Sequence, residues 1–257
     1  MDLNLKGKVV VITGGATGIG KAAALEFLKE GCKVAVCGRR QAKLDEAAAE
    51  AKAAGVELMT ESVDVTDVDS LQNFADHVLE KYGKIDIWMN NAGSNYIKSM
   101  VDYTTDEFKR MVDIILVSVF SGCQIAARAM KGKGGVILNA SSFASIMPAA
   151  GRAPYAACKA GVSSLSRSFA AELAKDNIRV LSYIPGMIVT DCSSASRNDN
   201  SSYLLSNIPM RKFGIPEDLA KVLVFLASDC ACYMNGTDVV IAGGKFCVQN
   251  PQYAYEN

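Results

Sequence analysis

The chain has 257 residues, half of them apolar, and its 27 basic and 27 acidic side chains cancel to a formal net charge of zero. That length is near the upper limit for one compact α/β domain and supplies a large core, and the neutral balance gives no basis for attraction to nucleic acid or an anionic membrane. The start, MDLNLKGKVVVITGG, carries an early acid and an apolar run soon broken by glycine, so neither a signal peptide nor an apolar stretch of about 20 residues is expected, and a cytoplasmic location is the default.

In chain order, KVVVIT (8–13) is a β-branched run and predicts a strand, followed by a helix in GKAAALEFLKEG (20–31). KVAVCG (33–38) predicts a second strand. An Ala/Glu/Lys-rich helix then runs to a stop at Gly55. Further strands are expected in VELMTESVDV (56–65), IDIWMNNAG (85–93), GGVILNASS (134–142), IRVLSYIPG (178–186) and DVVIAGG (238–244). Helices are expected over 67–83, 105–131, 153–175 and 216–228 between them. Strands that are almost wholly apolar, alternating with helices, predict a Rossmann-type doubly wound parallel sheet in a single α/β domain spanning 1–257, with helices on both faces. The polar, Ser- and Asn-rich stretch over about 187–213 is too long for an ordinary connection and reads as a substrate lid. It is apolar at its ends and carries Arg197 and Asp199 in its middle. The tail, about 246–257, is polar and aromatic.

Eight cysteines are scattered, mostly in apolar segments, without paired CxxC units, and read as reduced core thiols rather than disulfides or metal ligands. The only histidine, His77, falls in an amphipathic helical pattern, which argues against a Ser-His-Asp hydrolase and a histidine zinc site.

Three features carry chemistry. Gly14, Gly15, Gly18 and Gly20 stand between the first strand and the first helix. There the backbone can turn tightly and approach a pyrophosphate at the helix N-terminus. Tyr155 and Lys159 in YAACK lie four apart on a predicted helix and so share a face. A free phenol with a pKa of about 10 is a poor base at neutral pH, and a neighbouring ammonium favours phenolate. Finally, Gly38, Arg39 and Arg40 end the second strand, where an NAD site usually places an acid. Guanidinium groups there suit the 2′-phosphate of NADP, with Arg39 the main contact and Arg40 the second.

The spacing Gly14-x-x-x-Gly18-x-Gly20, together with VDV (63–65), NNAG (90–93), ASS (140–142), Tyr155-x-x-x-Lys159, PGMIVT (185–190) and the closing Gly243-Gly244, resembles the compact branch of the short-chain dehydrogenase/reductase family. The resemblance runs from about residue 6 to 245. It implies hydride transfer between a nicotinamide and an alcohol or carbonyl in a homo-oligomer, a dimer or tetramer. It assigns Tyr155 as acid/base, Ser142 as hydrogen-bond partner of the substrate oxygen, and Lys159 as the group that holds the nicotinamide ribose and lowers the tyrosine pKa. It places cofactor contacts at Gly14, Thr17, Gly18, Ile19 and Gly20, at Asp64 and Val65, at Asn90, Ala92 and Gly93, at Tyr155 and Lys159, and at Pro185, Gly186, Ile188 and Thr190.

The sequence departs from the family pattern at Ile115, where an asparagine ordinarily holds a relay water, at Leu181 and Ala242, and at Cys158, which reads as packing with an alternative as an alkylation target. The expected substrate is a hydrophobic secondary alcohol or ketone such as a steroid, bile acid or terpenoid. An apolar cleft from Phe143, Met147, Met187 and Tyr203 suggests it. The alternatives are a 3-oxoacyl thioester reductase, a polyol dehydrogenase and, in another class, a cofactor-binding scaffold with impaired catalysis.

Overall fold

A computed structural model describes residues 2–190 and 201–256. Seven parallel strands form one sheet in the order β3-β2-β1-β4-β5-β6-β7. They are β1 (Val9–Thr13), β2 (Lys33–Gly38), β3 (Leu58–Ser62), β4 (Ile87–Asn90), β5 (Gly135–Ala140), β6 (Ile178–Pro185) and β7 (Asp238–Ile241). Helices α1 (Gly18–Lys29), α2 (Gln41–Ala53), α3 (Val68–Tyr82), α4 (Thr105–Val112), α5 (Ser118–Met130), α6 (Ala153–Leu173), α7 (Ser201–Ser206) and α8 (Pro216–Ala227) connect and cover them.

Strand alternation sorts the core into two layers. Val10, Ile12, Val34 and Val36 face α1, α2 and α8 with Phe27, Leu44 and Leu223. Val9, Val11, Ala35 and Cys37 face the other way, toward Leu71, Phe74, Trp88 and Met111. The sheet is therefore covered on both faces, which is why its strands read as continuous apolar runs. Helix ends follow local chemistry. Asp67 caps α3 by accepting from the amides of Asp69 and Ser70, and Gly83 ends it in the left-handed region. Thr104 and Glu107 form a reciprocal capping box at the start of α4.

The helix expected over 105–131 is continuous in space but not uniform. Asp113–Val117 forms a π turn between α4 and α5, and the Ser118 hydroxyl donates to the Ile114 carbonyl at 2.7 Å. This run, Thr105–Met130, is long and apolar enough to cross a membrane by composition. That amends the expectation of no such stretch. More than half of its apolar window is buried in the second core layer, as in the core helix of a globular domain. Of the expected lid, residues 191–200 lie outside the described residues, as do Asn257 of the tail and the charged pair Arg197 and Asp199. The rest of the lid includes α7, and the tail ends in a short helix, Tyr253–Glu256.

The order of strands reverses between β1 and β4, so consecutive connections leave in opposite directions and open a crevice at the C-terminal ends of these strands.

Candidate active site

The turn after β1 lies in that crevice. The amides of Gly14 and Gly15 donate to the Cys37 carbonyl at 2.8 and 3.2 Å, which bends the chain sharply out of the sheet. Gly14 has φ 65°, and a Cβ there would meet the Ala92 Cα at 2.8 Å. A Cβ on Gly20 would meet the Gly14 carbonyl oxygen at 2.4 Å. Only glycine fits either position, so the N-terminus of α1 is held against β4 and left open for an anion. Asn91 locks this arrangement. Its side-chain amide donates to the Gly14 carbonyl at 3.1 Å, its Oδ1 accepts from the Tyr183 hydroxyl at 2.9 Å, and its backbone N–H reaches the Thr13 hydroxyl at 3.0 Å. Across the crevice, a Cβ on Gly18 would lie 3.3 Å from the Thr190 methyl, so residues 188–190 close over the turn. Ile188 pairs with Gly214, and the Val189 amide donates to the Gly214 carbonyl at 2.8 Å. These residues fit a dinucleotide: glycines stand where a Cβ would clash at the turn that opens α1, the place where a helix N-terminus takes a pyrophosphate.

Arg39 and Arg40 are exposed at the end of β2. Arg40 donates to the Thr17 hydroxyl at 3.3 Å. Arg39 stands 3.9 Å from Asp64. Burial pushes the Asp64 carboxyl up, but the amide and hydroxyl of Thr66, then Arg39 and Arg110, outweigh it and hold the group below its ordinary value. Val65 is buried beside it in the second core layer.

Lys159 reaches the C-terminal end of β5, where Ser142 follows the strand, and the Tyr155 ring lies beside its ammonium. Ser141 sets their registry: its hydroxyl donates to the Lys159 carbonyl at 3.1 Å and bonds the Ser163 hydroxyl at 2.8 Å, pinning the strand end to α6. Ser142 is buried, and its hydroxyl accepts from the Ala144 amide at 3.1 Å. Lys159 is buried too. Its ammonium donates to the Ala140 carbonyl at 2.6 Å, stands 5.8 Å from the centre of the Tyr155 ring, and lies 3.9 Å from where a Cβ on Gly93 would be. A buried lysine fixed by a backbone carbonyl is a charge held in one place beside a phenol, the condition for favouring phenolate. Tyr183 lies nearby. Burial, then the charge of Tyr155, pushes its hydroxyl well above the ordinary tyrosine value, so it remains a neutral donor.

Several sequence expectations take a different form here. The Asn90 side chain faces the core: it accepts from the Trp88 indole at 2.7 Å and donates to Asn139 at 2.8 Å. Cys158 is buried, and burial pushes its thiol up despite Lys159, in keeping with its reading as a packing residue. Ile115 is fully buried in the π turn, which packs on α6 because Gly161 leaves room for Leu116. Ala242 fits against Gly186, where a Cβ would meet its Cα at 2.6 Å. Pro185 ends β6 and leads into that contact. Ile19 packs on the first core layer from the first turn of α1. Sequence reading did not single out Asn91, the Ala140 carbonyl or Lys245. Asn91 alone had a local signal, its place within NNAG.

The profile of the short chain dehydrogenase family matches residues 8–201. A 3alpha-hydroxysteroid dehydrogenase of Mediterraneibacter gnavus is 37% identical over 246 residues, covering 95% of this chain and 98% of the relative. A 3-oxoacyl-[acyl-carrier-protein] reductase of Thermotoga maritima is 37% identical over 243 residues, covering 94% and 99%. The crystal structure of a short-chain type dehydrogenase/reductase from Mycobacterium marinum superposes with a TM-score of 0.92 at 35% identity, covering 96% of this chain and 98% of that one. With this fold, this crevice and these similarities, the chain belongs to the short-chain dehydrogenase family, whose members are oxidoreductases using a nicotinamide cofactor.

Proposed function

We propose that the protein is an NADP(H)-dependent oxidoreductase that interconverts a hydrophobic secondary alcohol and its ketone, in a single domain with a lid over about 187–213 and a tail over about 246–257. The observation that carries the reading is the Lys159 ammonium, buried, bonded to the Ala140 carbonyl and set 5.8 Å from the Tyr155 ring. When bound, the nicotinamide would supply or take up the hydride at the carbon that bears the oxygen. Tyr155 gives or takes the proton at that oxygen, Ser142 hydrogen-bonds it, and Lys159 favours the phenolate and holds the cofactor ribose. Gly14, Thr17, Gly18, Ile19 and Gly20 would hold the phosphates, Asp64 and Val65 would flank the adenine end, and Asn90, Ala92, Gly93, Pro185, Gly186, Ile188 and Thr190 would line the nicotinamide end.

NADP is preferred over NAD because two exposed guanidinium groups end β2. The Arg39–Asp64 pair is long and exposed, hence worth little, and opens readily for a 2′-phosphate. The steroid dehydrogenase relative supports an apolar substrate. So do the exposed Met147 and Tyr203, Met147 being joined to the Phe143 carbonyl by its amide at 2.9 Å. The reductase relative, at equal identity, supports 3-oxoacyl thioester reduction as the second reading. We place the enzyme in the cytoplasm, in keeping with cysteines that are all free thiols among the described residues. Exposed Phe108, Val117 and Phe120 on the α4–α5 face and Val240 on edge strand β7 suit a homo-oligomer.

The test is a screen in both directions, following nicotinamide absorbance, across hydroxysteroids, polyols and 3-oxoacyl thioesters. Turnover with NADPH and the steroids best supports the reading. Cofactor binding without turnover of any member would replace it with a scaffold.

A further inference from the structure

Lys245 follows the closing glycine pair, and its ammonium lies between two rings, 5.6 Å from the centre of Phe143 and 5.8 Å from that of Phe246. The rings themselves are 5.8 Å apart. Phe143 follows Ser142 in the chain, so this cation packs on the segment that carries Ser142. It is half-buried, and burial lowers its pKa from the ordinary lysine value. No carboxylate among the described residues pairs with it. The described segments that frame the mouth of the crevice, 94–99, 143–153, 201–215 and 242–255, contain no Asp or Glu at all. They do contain Arg211, which lies on the strap joined to this turn: the Met210 amide donates to the Gly243 carbonyl at 3.2 Å. Arg211 is held in the left-handed region, φ 51°, with its guanidinium over the Tyr255 ring and its Nε buried without a partner among the described residues. In these described segments the rim is thus apolar and cationic, while Asp191 and Asp199 of the expected lid lie outside the described residues.

We infer that Lys245 is a specificity-determining residue that anchors an anionic group of the substrate, so that the favoured substrate is an apolar alcohol or ketone carrying a negative charge remote from the reacting carbon. This rests on the reading of the crevice as the oxidoreductase site. A half-desolvated ammonium held by ring faces gains from an anion what it lacks from solvent, and the rings that hold it also offer the substrate an apolar wall. The anion has two chemical sources: a carboxylate on a hydroxysteroid side chain, or a phosphate of a coenzyme A thioester.

The experiment compares wild type, Lys245→Met and Lys245→Arg on a hydroxysteroid bearing a side-chain carboxylate, on its methyl ester, and on acetoacetyl-coenzyme A. Lys245→Met should raise KM for the acid about tenfold, the change expected for one lost charge-assisted contact. It should leave kcat and the ester nearly unaltered, and Lys245→Arg should restore the acid. A loss confined to the thioester would keep the anchor and assign the phosphate as its anion. Equal loss on acid and ester, or no loss on any anion, would overturn the inference. Calorimetric binding of the acid to the NADPH-loaded protein separates the two levels. Binding weakened by Lys245→Met without turnover of any substrate would keep the anchor and remove the proposed function. Turnover indifferent to Lys245 would remove only the anchor.

Discussion

The two ends of the sheet are built by opposite rules. At the N-terminal ends of the strands, polar side chains are spent on closing the chain. Asp86 accepts from the Val9 amide at 2.7 Å and pairs with Lys84 at 2.9 Å. Arg179 donates to the carbonyls of Leu226, Ser228 and Met234 at 2.9, 3.1 and 3.2 Å. Asn235 joins the Val180 amide to the Ala170 carbonyl. At the C-terminal ends, cationic groups gather around the crevice: exposed Arg39 and Arg40, in long contacts with Asp64 and the Thr17 hydroxyl, Lys159, buried against the Ala140 carbonyl, and Lys245, without an acid partner among the described residues. The first end uses its polar side chains to close the chain on itself, whereas the second concentrates cationic side chains around a crevice, the place where a sheet of this kind takes its ligand.

That contrast can be broken by substitution. Tyr155→Phe should lower turnover by about two to four orders of magnitude, the range for a lost general acid/base, while NADPH affinity and thermal midpoint stay as in wild type. Retention of more than a tenth of the turnover would remove Tyr155 from the chemistry. Arg179→Met belongs to the other end and should do the reverse. Leaving three part-buried carbonyls without their donor should cost about 2–3 kcal/mol in denaturant unfolding, with turnover per folded molecule unchanged. A drop in turnover at unchanged stability would show that the two ends are not separable. Arg39→Ala should weaken NADPH by roughly 10- to 100-fold, the equivalent of about 1.5–3 kcal/mol for a hydrogen bond to a charged group, and leave NADH alone. Loss of both cofactors alike in a fluorescence titration would contradict NADP selection. Ile115→Asn sharpens the boundary, because the residue is fully buried in the π turn. An unpaired amide there should destabilise by about 1–3 kcal/mol, and a clear gain in turnover would show instead that the turn was waiting for a polar group.

Much of this was legible in the sequence, for physical reasons that can be named. The strands declared themselves because a sheet covered on both faces demands apolar runs, and the turn at Gly14–Gly20 because a close backbone approach excludes side chains. Tyr155 and Lys159 declared themselves by helical spacing, and Arg39 by its place at a strand end. Other features left no local trace. The bond from Lys159 to the Ala140 carbonyl spans 19 positions and uses a backbone group that every residue has. The commitment of Asn90 to Trp88 and Asn139 depends on which way one side chain turns at the end of β4. The π turn is an irregularity inside a pattern of ordinary helical period. The meeting of Phe143, Phe246 and Lys245 joins segments a hundred residues apart through ring contacts alone.

The central claim is that the C-terminal end of the sheet holds a nicotinamide dinucleotide and the other end does not. Amide hydrogen exchange with and without NADPH tests it most directly. The account predicts added protection at residues 14–20, 90–93 and 186–190, with exchange at 84–86, 177–180 and 226–236 unchanged. Protection at the second set, or none at 14–20 under saturating NADPH, would contradict it.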